Sequence, residues 1–301
     1  SEMLAIWCIA LWENLGCPKK INIIEMGGGN GEMMHQMIKV FKRFDKFLKA
    51  SKCFIFEKSH FLIKIQKKKI SSSKVFWINS LDNLKNGPNI FLANEFFDAL
   101  PVKQFIKKNN QWFEKKVELL SNNNFKLVNK TANINALEKK IRINLKNNQN
   151  FIEFSPLAYK YLNTISKKIN TFNGGLLIID YGYLEKKMKN SLQSVRKHKF
   201  VNILEDLSNS DITYNISFYL LKRILKKLNL KVVGITTQKN FLTKLGIINR
   251  AEILAKNLKF SKKANIYYRL NRLVDEKFMG NLFKVMFATK KNNKFNIGFK
   301  N

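Results

Sequence analysis

Four glycines fall within five positions, Gly27, Gly28, Gly29 and Gly31, directly after the apolar run INIIEM (21–26). Behind them Met34, Met37, Ile38 and Phe41 recur at helical spacing within 31–49. Strand, glycine turn, helix is the opening of an α/β unit. The chain repeats the rhythm with KCFIFE (52–57), a helical 60–69, KVFWI (74–78) and NIFLANEFF (89–97). Such alternation predicts a parallel sheet with helices on both faces. Ligands of such sheets bind at the carboxyl ends of the strands, which is where the glycines lie.

The rhythm breaks after residue 102. KQFIKKNNQWFEKKVELLSNNNFKLV (103–128) has short apolar runs split by Asn-rich turns, as in antiparallel hairpins. Residues 132–170 read as polar and helical. GGLLIIDYGY (174–183) is a strong fifth strand, 184–215 is polar and irregular, and ISFYLLKRILKKLN (216–229) is an amphipathic helix. Asp211 and Thr213 read as its start cap. LKVVGITTQ (230–238) and NLFKVMFATK (281–290) close the sheet. One domain over 1–301, with insertions at about 103–170 and 184–215, is simpler than two. Residues 1–16 are already helical and Ser1 is not an initiator Met, so the start reads as cut from something longer.

A hydrophobic fraction of 45% suits a globular protein, and no apolar run is long enough to predict a membrane span. Cys8, Cys17 and Cys53 form no CxxC pair, and only His35, His60 and His198 join them. No metal site and no disulfide framework are expected, which fits a reducing interior. The net charge is +34, yet the lysines come as scattered pairs rather than a stripe interleaved with aromatics. Abundant Lys, Asn, Ile and Phe are what AT-rich codons encode, so no nucleic-acid partner is expected from charge alone.

The loop contains G-x-G-x-G, but Glu32 stands where the dinucleotide fingerprint needs glycine. A carboxylate at a helix start would repel a pyrophosphate there. Glu25 ends the first strand and can attract an ammonium or sulfonium. Glu57 ends the second, where an acid accepts two hydrogen bonds from ribose hydroxyls. Glu25, the loop glycines and Glu57 together suit S-adenosylmethionine better than a nicotinamide dinucleotide; the bland alternative is a turn between solvated acids. Asp82, after the third strand, is placed to accept from the adenine amino group. Asn94, Glu95 and Asp98 project from the fourth strand at the same edge. Two carboxylates there can grip a guanidinium and aim its nitrogen at a methyl group; alternatively Asp98 caps a turn and Asn94 satisfies backbone. Asp180 and Tyr181, ending strand five, either orient substrate or form a structural pair. Cys53 reads as core.

These segments resemble a family. IIEMGGGNGEMM, FIFEKSHFLIKIQ, LANEFFDALPVKQF with WFEKKV, LLIIDYGY, SLQSVRKH, DITYNISF, TQKNFLTKLGI and MGNLFKVM follow the order of the MidA-like S-adenosylmethionine-dependent methyltransferases, over residues 2–288. That family includes a mitochondrial factor that methylates an arginine of a respiratory complex I subunit. The resemblance implies a class I (Rossmann-like) sheet of seven strands, the last antiparallel, with S-adenosyl-L-methionine as cofactor and protein arginine as acceptor. Glu25, Gly27, Gly29 and Gly31 match its first motif, while Gly28 replaces a Pro, Asn30 an Arg, and Gln36 an Asp. It implies a looser, less charged loop, and a further segment before Ser1 that covers the pocket. Glu57 matches its ribose acid, Asn94, Glu95 and Asp98 its motif after strand four, and His198, beside Arg196, a family histidine; it either contacts substrate or is a surface histidine of a loop. Complex I assembly is the implied setting, in bacterial cytoplasm or, in a eukaryote, the mitochondrial matrix. A non-catalytic assembly chaperone of the same fold and an RNA methyltransferase are the alternatives.

Overall fold

The computed structural model describes residues 1–84, 86–121, 124–196, 199–204 and 209–299. Helix α1 (Glu2–Asn14) lays Trp7, Cys8 and Leu11 against the sheet, each fully buried. Strand β1 (Ile21–Met26) is buried at all six positions. Helix α2 (Glu32–Phe41) follows the glycines, and the expected helix over 31–49 breaks before α3 (Asp45–Ala50). Then come β2 (Ser51–Phe56), α4 (His60–Lys69), β3 (Val75–Ile78), a 3₁₀ turn over Leu81–Asn83, and β4 (Asn89–Asn94). Ser59 starts α4 by accepting the Leu62 amide at 3.3 Å.

The first insertion holds β5 (Lys103–Lys108), β6 (Gln111–Leu119), β7 (Phe125–Thr131), α5 (Ile134–Ile141) and β8 (Phe151–Phe154). The expected hairpins are present. Asn109 and Asn110 both take positive φ between β5 and β6, as a type I′ turn requires. Strand β8 lies where only helix was expected; it completes a four-stranded sheet in the order β7-β6-β5-β8. Helix α6 (Pro156–Phe172) follows, with Pro156 in its first turn and Ser155 as cap.

Strand β9 (Gly174–Tyr183) returns to the main sheet. The stretch read as irregular carries β10 (Gln193–Arg196), β11 (Lys199–Val201) and β12 (Asp211–Thr213), a small antiparallel sheet. Asp211 and Thr213 therefore sit in a strand, not a helix cap. The cap is Ser217, which accepts the Leu220 amide at 3.3 Å. Ile216–Ser217 forms β13 beside β9, so α7 begins only at Phe218 (Phe218–Lys227). Strand β14 (Leu230–Thr237) leads into four helices in a stretch for which no element was expected: α8 (Gln238–Lys244), α9 (Ile247–Ala255), α10 (Phe260–Val274) and α11 (Met279–Leu282). Strand β15 (Phe283–Lys290) closes the sheet, two residues later than expected.

The main sheet runs β14-β15-β9-β4-β1-β2-β3, with β15 antiparallel to both neighbours and β13 added beside β9. The expected seven strands form this continuous path, and β13 makes an eighth. Alternate residues of each strand feed two cores. Ile24, Phe54, Phe91 and Ile178 face α6 and α7, while Ile23, Ile55, Leu92 and Val285 face α1 and α2. Period-two alternation puts Glu25 on the second face, beneath the glycine loop. Chain order reverses between β1 and β4, so the carboxyl ends of β1, β2, β4 and β9 share one rim.

Candidate active site at the carboxyl rim

Gly27, Gly29 and Gly31 all take positive φ, at 71°, 49° and 80°. Side chains rarely tolerate that region, so the turn depends on glycine. Gly28 is required by packing instead. A Cβ there would lie 2.7 Å from Cγ2 of Ile55 and 3.1 Å from Nε2 of Gln66. The replacement of Pro by Gly28 thus leaves the loop clasped rather than slack. Asn30 holds the helix start, its Oδ1 accepting the Glu32 amide at 3.0 Å. A Cβ on Gly29 would meet nothing within 4 Å, so there the loop backbone faces open space.

Glu32 plays a different part from the one the sequence suggests. Its carboxylate lies on the surface, accepting from Nε2 of Gln36 at 2.7 Å and pairing with Nζ of Lys69 at 2.9 Å. These bonds hold its pKa below the usual value, and the paired charge no longer bars a phosphate. The case for a phosphate-free cofactor passes to the acids around the loop.

Glu25 is 3% exposed, and its Oε2 has no partner. Burial raises its pKa to about 8, while the Met34 backbone amide pulls the other way. Glu57 stands at the end of β2. Its Oε1 accepts the amides of Lys58 and Ser59 at 2.9 and 3.0 Å, and its Oε2 accepts Nε2 of Gln66 at 3.3 Å. A carboxylate has about four acceptor positions. One is left, on Oε2, so Glu57 can take one ribose hydroxyl where the sequence suggested two.

Gln66 closes the segment FIFEKSHFLIKIQ, but its position there assigns it no role. It precedes Lys67, Lys68 and Lys69 on α4, yet it is fully buried. Its Nε2 also donates to Gly29 O at 2.9 Å, and its Oε1 accepts Nε1 of Trp77 at 2.8 Å. A cleft of about 460 Å³ opens beside it, lined by Glu57, Lys58, His60, Ile63, Trp77 and Asn79. A second, of about 120 Å³, shares Lys58 and Asn79 and reaches Asp82 and Tyr161. Asp82 is exposed there, with Oδ2 accepting the Ser80 hydroxyl at 3.1 Å.

The turn after β4 rests on the glycine loop: a Cβ on Gly27 would stand 2.9 Å from the ring of Phe96. Glu95 has a positive φ of 48°, rare for a side-chain-bearing residue. Nδ2 of Asn94 donates to Glu95 Oε1 at 3.3 Å, and the Tyr181 hydroxyl donates to Glu95 Oε2 at 3.2 Å. Asp98 is 3% exposed with Oδ1 unpartnered. Burial raises its pKa to about 6, against the hydrogen bond from Tyr181 and with the Glu95 charge adding to the rise. Asp180 is fully buried. Its Oδ2 accepts the amides of Phe97 and Asp98 at 3.1 and 3.3 Å, and its Oδ1 accepts that of Tyr181. Burial, then the Asp98 charge, push its pKa well up. Asp180 thereby pins the turn from below, while Asn94, Glu95, Asp98 and Tyr181 cluster above it. His198 lies outside the described residues. Among those described, no set of three or more His, Cys, Asp or Glu side chains could hold a metal ion. No described helix is long and apolar enough to cross a membrane.

S-adenosyl-L-methionine fits these residues. The orphaned Glu25 oxygen can meet a cation, the open backbone at Gly29 admits close approach, and Glu57 retains one acceptor for ribose.

The geometry agrees with the comparisons. Residues 3–236 match the model of a family described as "Putative S-adenosyl-L-methionine-dependent methyltransferase". The chain is 26% identical over 309 residues to the mitochondrial protein arginine methyltransferase NDUFAF7 of Xenopus laevis, covering 94% of this chain and 70% of that protein. It is 25% identical over 308 residues to the protein of that name from Homo sapiens, covering 94% and 69%. Among solved structures, an uncharacterized protein from Burkholderia thailandensis superposes with a TM-score of 0.80 at 18% identity, over 99% of this chain and 80% of that one. A second structure from that organism, bound to S-adenosyl-homocysteine, gives 0.77 at 18% identity, over 100% and 76%.

Proposed function

Because the chain belongs to this family of S-adenosyl-L-methionine-dependent methyltransferases, we propose that it methylates an arginine side chain of a protein. The observation that carries the choice of acceptor is the pair of carboxyls, Glu95 and Asp98, crowded beside the glycine loop with the Tyr181 hydroxyl donating to Glu95 Oε2 at 3.2 Å. The printed names of the NDUFAF7 relatives support the same acceptor.

Bound at the loop, S-adenosyl-L-methionine supplies an electrophilic methyl on a sulfonium. The rest falls to this chain's residues. Glu57 would hold the ribose through Oε2, Asp82 would lie toward the adenine, and Glu25, under the loop, would be drawn into its ionised form by a cation. Glu95 and Asp98 hold the guanidinium, with Asn94 fixing the Glu95 carboxylate, so that one nitrogen points at the rim above β1 and β4. Positioning of this kind supplies much of the rate in a displacement between two bound partners. Its raised pKa makes Asp98 a stronger base than an ordinary aspartate, suited to take the proton the attacking nitrogen releases. Asp180 keeps the turn in place. The relatives' mitochondrial names support the matrix as the setting in a eukaryote; in a bacterium the cytoplasm takes its place. Complex I assembly, which the family resemblance implies, is the process proposed.

The departures that favoured a chaperone are accommodated, Gly28 by packing and Asn30 by its bond to the helix start. The test is labelled methyl transfer into a partner subunit, read by mass spectrometry. Methylated arginine is expected, and it should fall on the order of 10²-fold in Asp98→Asn while cofactor binding by titration calorimetry persists. Transfer into RNA with protein left unlabelled would sink the reading.

A further inference from the structure

Gln66 joins three elements that the cofactor site needs held together. Its carboxamide has two N–H donors and one oxygen. One hydrogen goes to Gly29 O, on the loop; the other to Glu57 Oε2, the oxygen left for ribose; the oxygen accepts from Trp77 on β3. The amide orientation is thereby fixed. Flipped, its oxygen would face two acceptors, the Gly29 carbonyl and the Glu57 carboxylate, and its nitrogen would face the Trp77 N–H. The glycine loop also packs on the same side chain. A Cβ on Gly28 would lie 3.1 Å from its Nε2, and one on Gly31 3.2 Å from its Cγ.

We propose that Gln66 is the positioning residue of the ribose subsite: it orients Oε2 of Glu57 and locks that carboxylate to the glycine loop, so ribose and loop are recognised as one rigid unit. Oε1 is held by the Lys58 and Ser59 amides, so Gln66 alone among the described side chains sets the free oxygen. Without it the carboxylate can turn about its last bond, and ribose recognition must supply the ordering itself. The proposal rests on the cofactor reading above.

The experiment uses the full chain and titration calorimetry with two probes, S-adenosylhomocysteine and its 2′,3′-dideoxy analogue, which lacks both ribose hydroxyls. Gln66→Met keeps the length of the side chain and removes both donors. Trp77→Phe keeps Gln66 but frees its oxygen, and serves if Gln66→Met fails to fold by thermal melt. Expected is a loss of ~10-fold in affinity for S-adenosylhomocysteine in Gln66→Met, the size of one hydrogen bond to a charged group, and a smaller loss in Trp77→Phe. The dideoxy analogue should lose clearly less affinity than S-adenosylhomocysteine in both variants, because only the contacts through the loop remain to be weakened. In a Glu57→Gln background, Gln66→Met should add nothing further. Equal losses for both probes, or full additivity with Glu57→Gln, would show a residue that merely supports the fold and overturn the proposal. Wild type that binds neither probe overturns the cofactor reading, and the proposal with it; wild type that binds, with variants that do not discriminate, overturns the proposal alone.

Discussion

The rim above β2 and β3 differs in kind from the rim above β4 and β9. On the first, Glu57, Gln66, Trp77 and Ser80 have partners within the protein, and the backbone is relaxed at Glu57 and beyond. On the second, three carboxyls crowd together, Glu95 sits at positive φ, and Asp98 leaves an oxygen unpartnered. No described salt bridge reaches Glu95, Asp98 or Asp180, in a chain carrying 55 basic residues and 21 acidic ones. Neutral hydroxyls and an adenine ask only for ready hydrogen bonds. A cation asks for charge that the protein has not already neutralised, and local strain is a common accompaniment of such sites.

The largest way to break this contrast is Asp180→Ala. Two buried amides, of Phe97 and Asp98, and the half-buried one of Tyr181 would lose their acceptor. Relief of repulsion with Asp98 offsets part of that, and a net loss of about 3 kcal/mol of unfolding free energy is expected by chemical denaturation. An unchanged midpoint would mean the turn stands without its anchor. Next, Asp98→Asn keeps the shape and removes the charge. Turnover should fall on the order of 10²-fold with cofactor affinity unchanged, the signature of a group acting on the acceptor side. Third, Glu57→Ala should reverse the pattern: cofactor affinity weaker by about 1.5 kcal/mol in calorimetry, with turnover at saturating cofactor nearly intact. If Asp98→Asn weakened the cofactor as much as Glu57→Ala does, the two rims would be one site and the contrast would be empty.

How much of this was legible depended on sequence distance. The positions of β1, β4 and β9 along the chain followed from apolar runs beside glycines, because these runs are buried on both faces. The acids at strand ends followed from the rule that such sheets bind at their carboxyl rim. What escaped notice was short or long-range. Strands β8, β10, β11 and β12 have three or four residues, too few for period two to stand out, and β10 to β12 are polar besides. Helix α10 carries Ala264, Tyr267, Leu270 and Val274 at helical spacing yet buries no residue, so its stripe marks a helix that adds nothing to the core. Gln66 is read correctly only once Gly29 and Trp77 are known to surround it. The function of Asp180 depends on a turn more than eighty residues earlier. Glu32 misled because its sequence position at a helix start said nothing of Lys69, which reaches it from α4.

The smallest effect is the most direct test of unneutralised charge on the acceptor rim. Burial raises Asp98 from its usual 3.8 to about 6 in the fold. The folded state therefore binds this proton more tightly than the unfolded chain does. Asp98's contribution to stability is whole below pH 3.8 and is lost as pH rises through 6, because between those values the fold must give up a proton it favours. The activity moves the other way, since only the ionised carboxyl grips a guanidinium and takes its proton. Between pH 5 and 7, turnover should climb with an inflection near 6 while the denaturation midpoint drifts down. Asp98→Asn should flatten the stability trend across that window, the subtraction of the two curves separating the interacting Asp98–Asp180 pair from Glu25. A cation bound at the rim should reverse the drift, because it favours the charged carboxyl; adding an arginine peptide would then pull the inflection below 6. An inflection that stays at 6 with the peptide bound would place the acceptor somewhere other than beside Asp98.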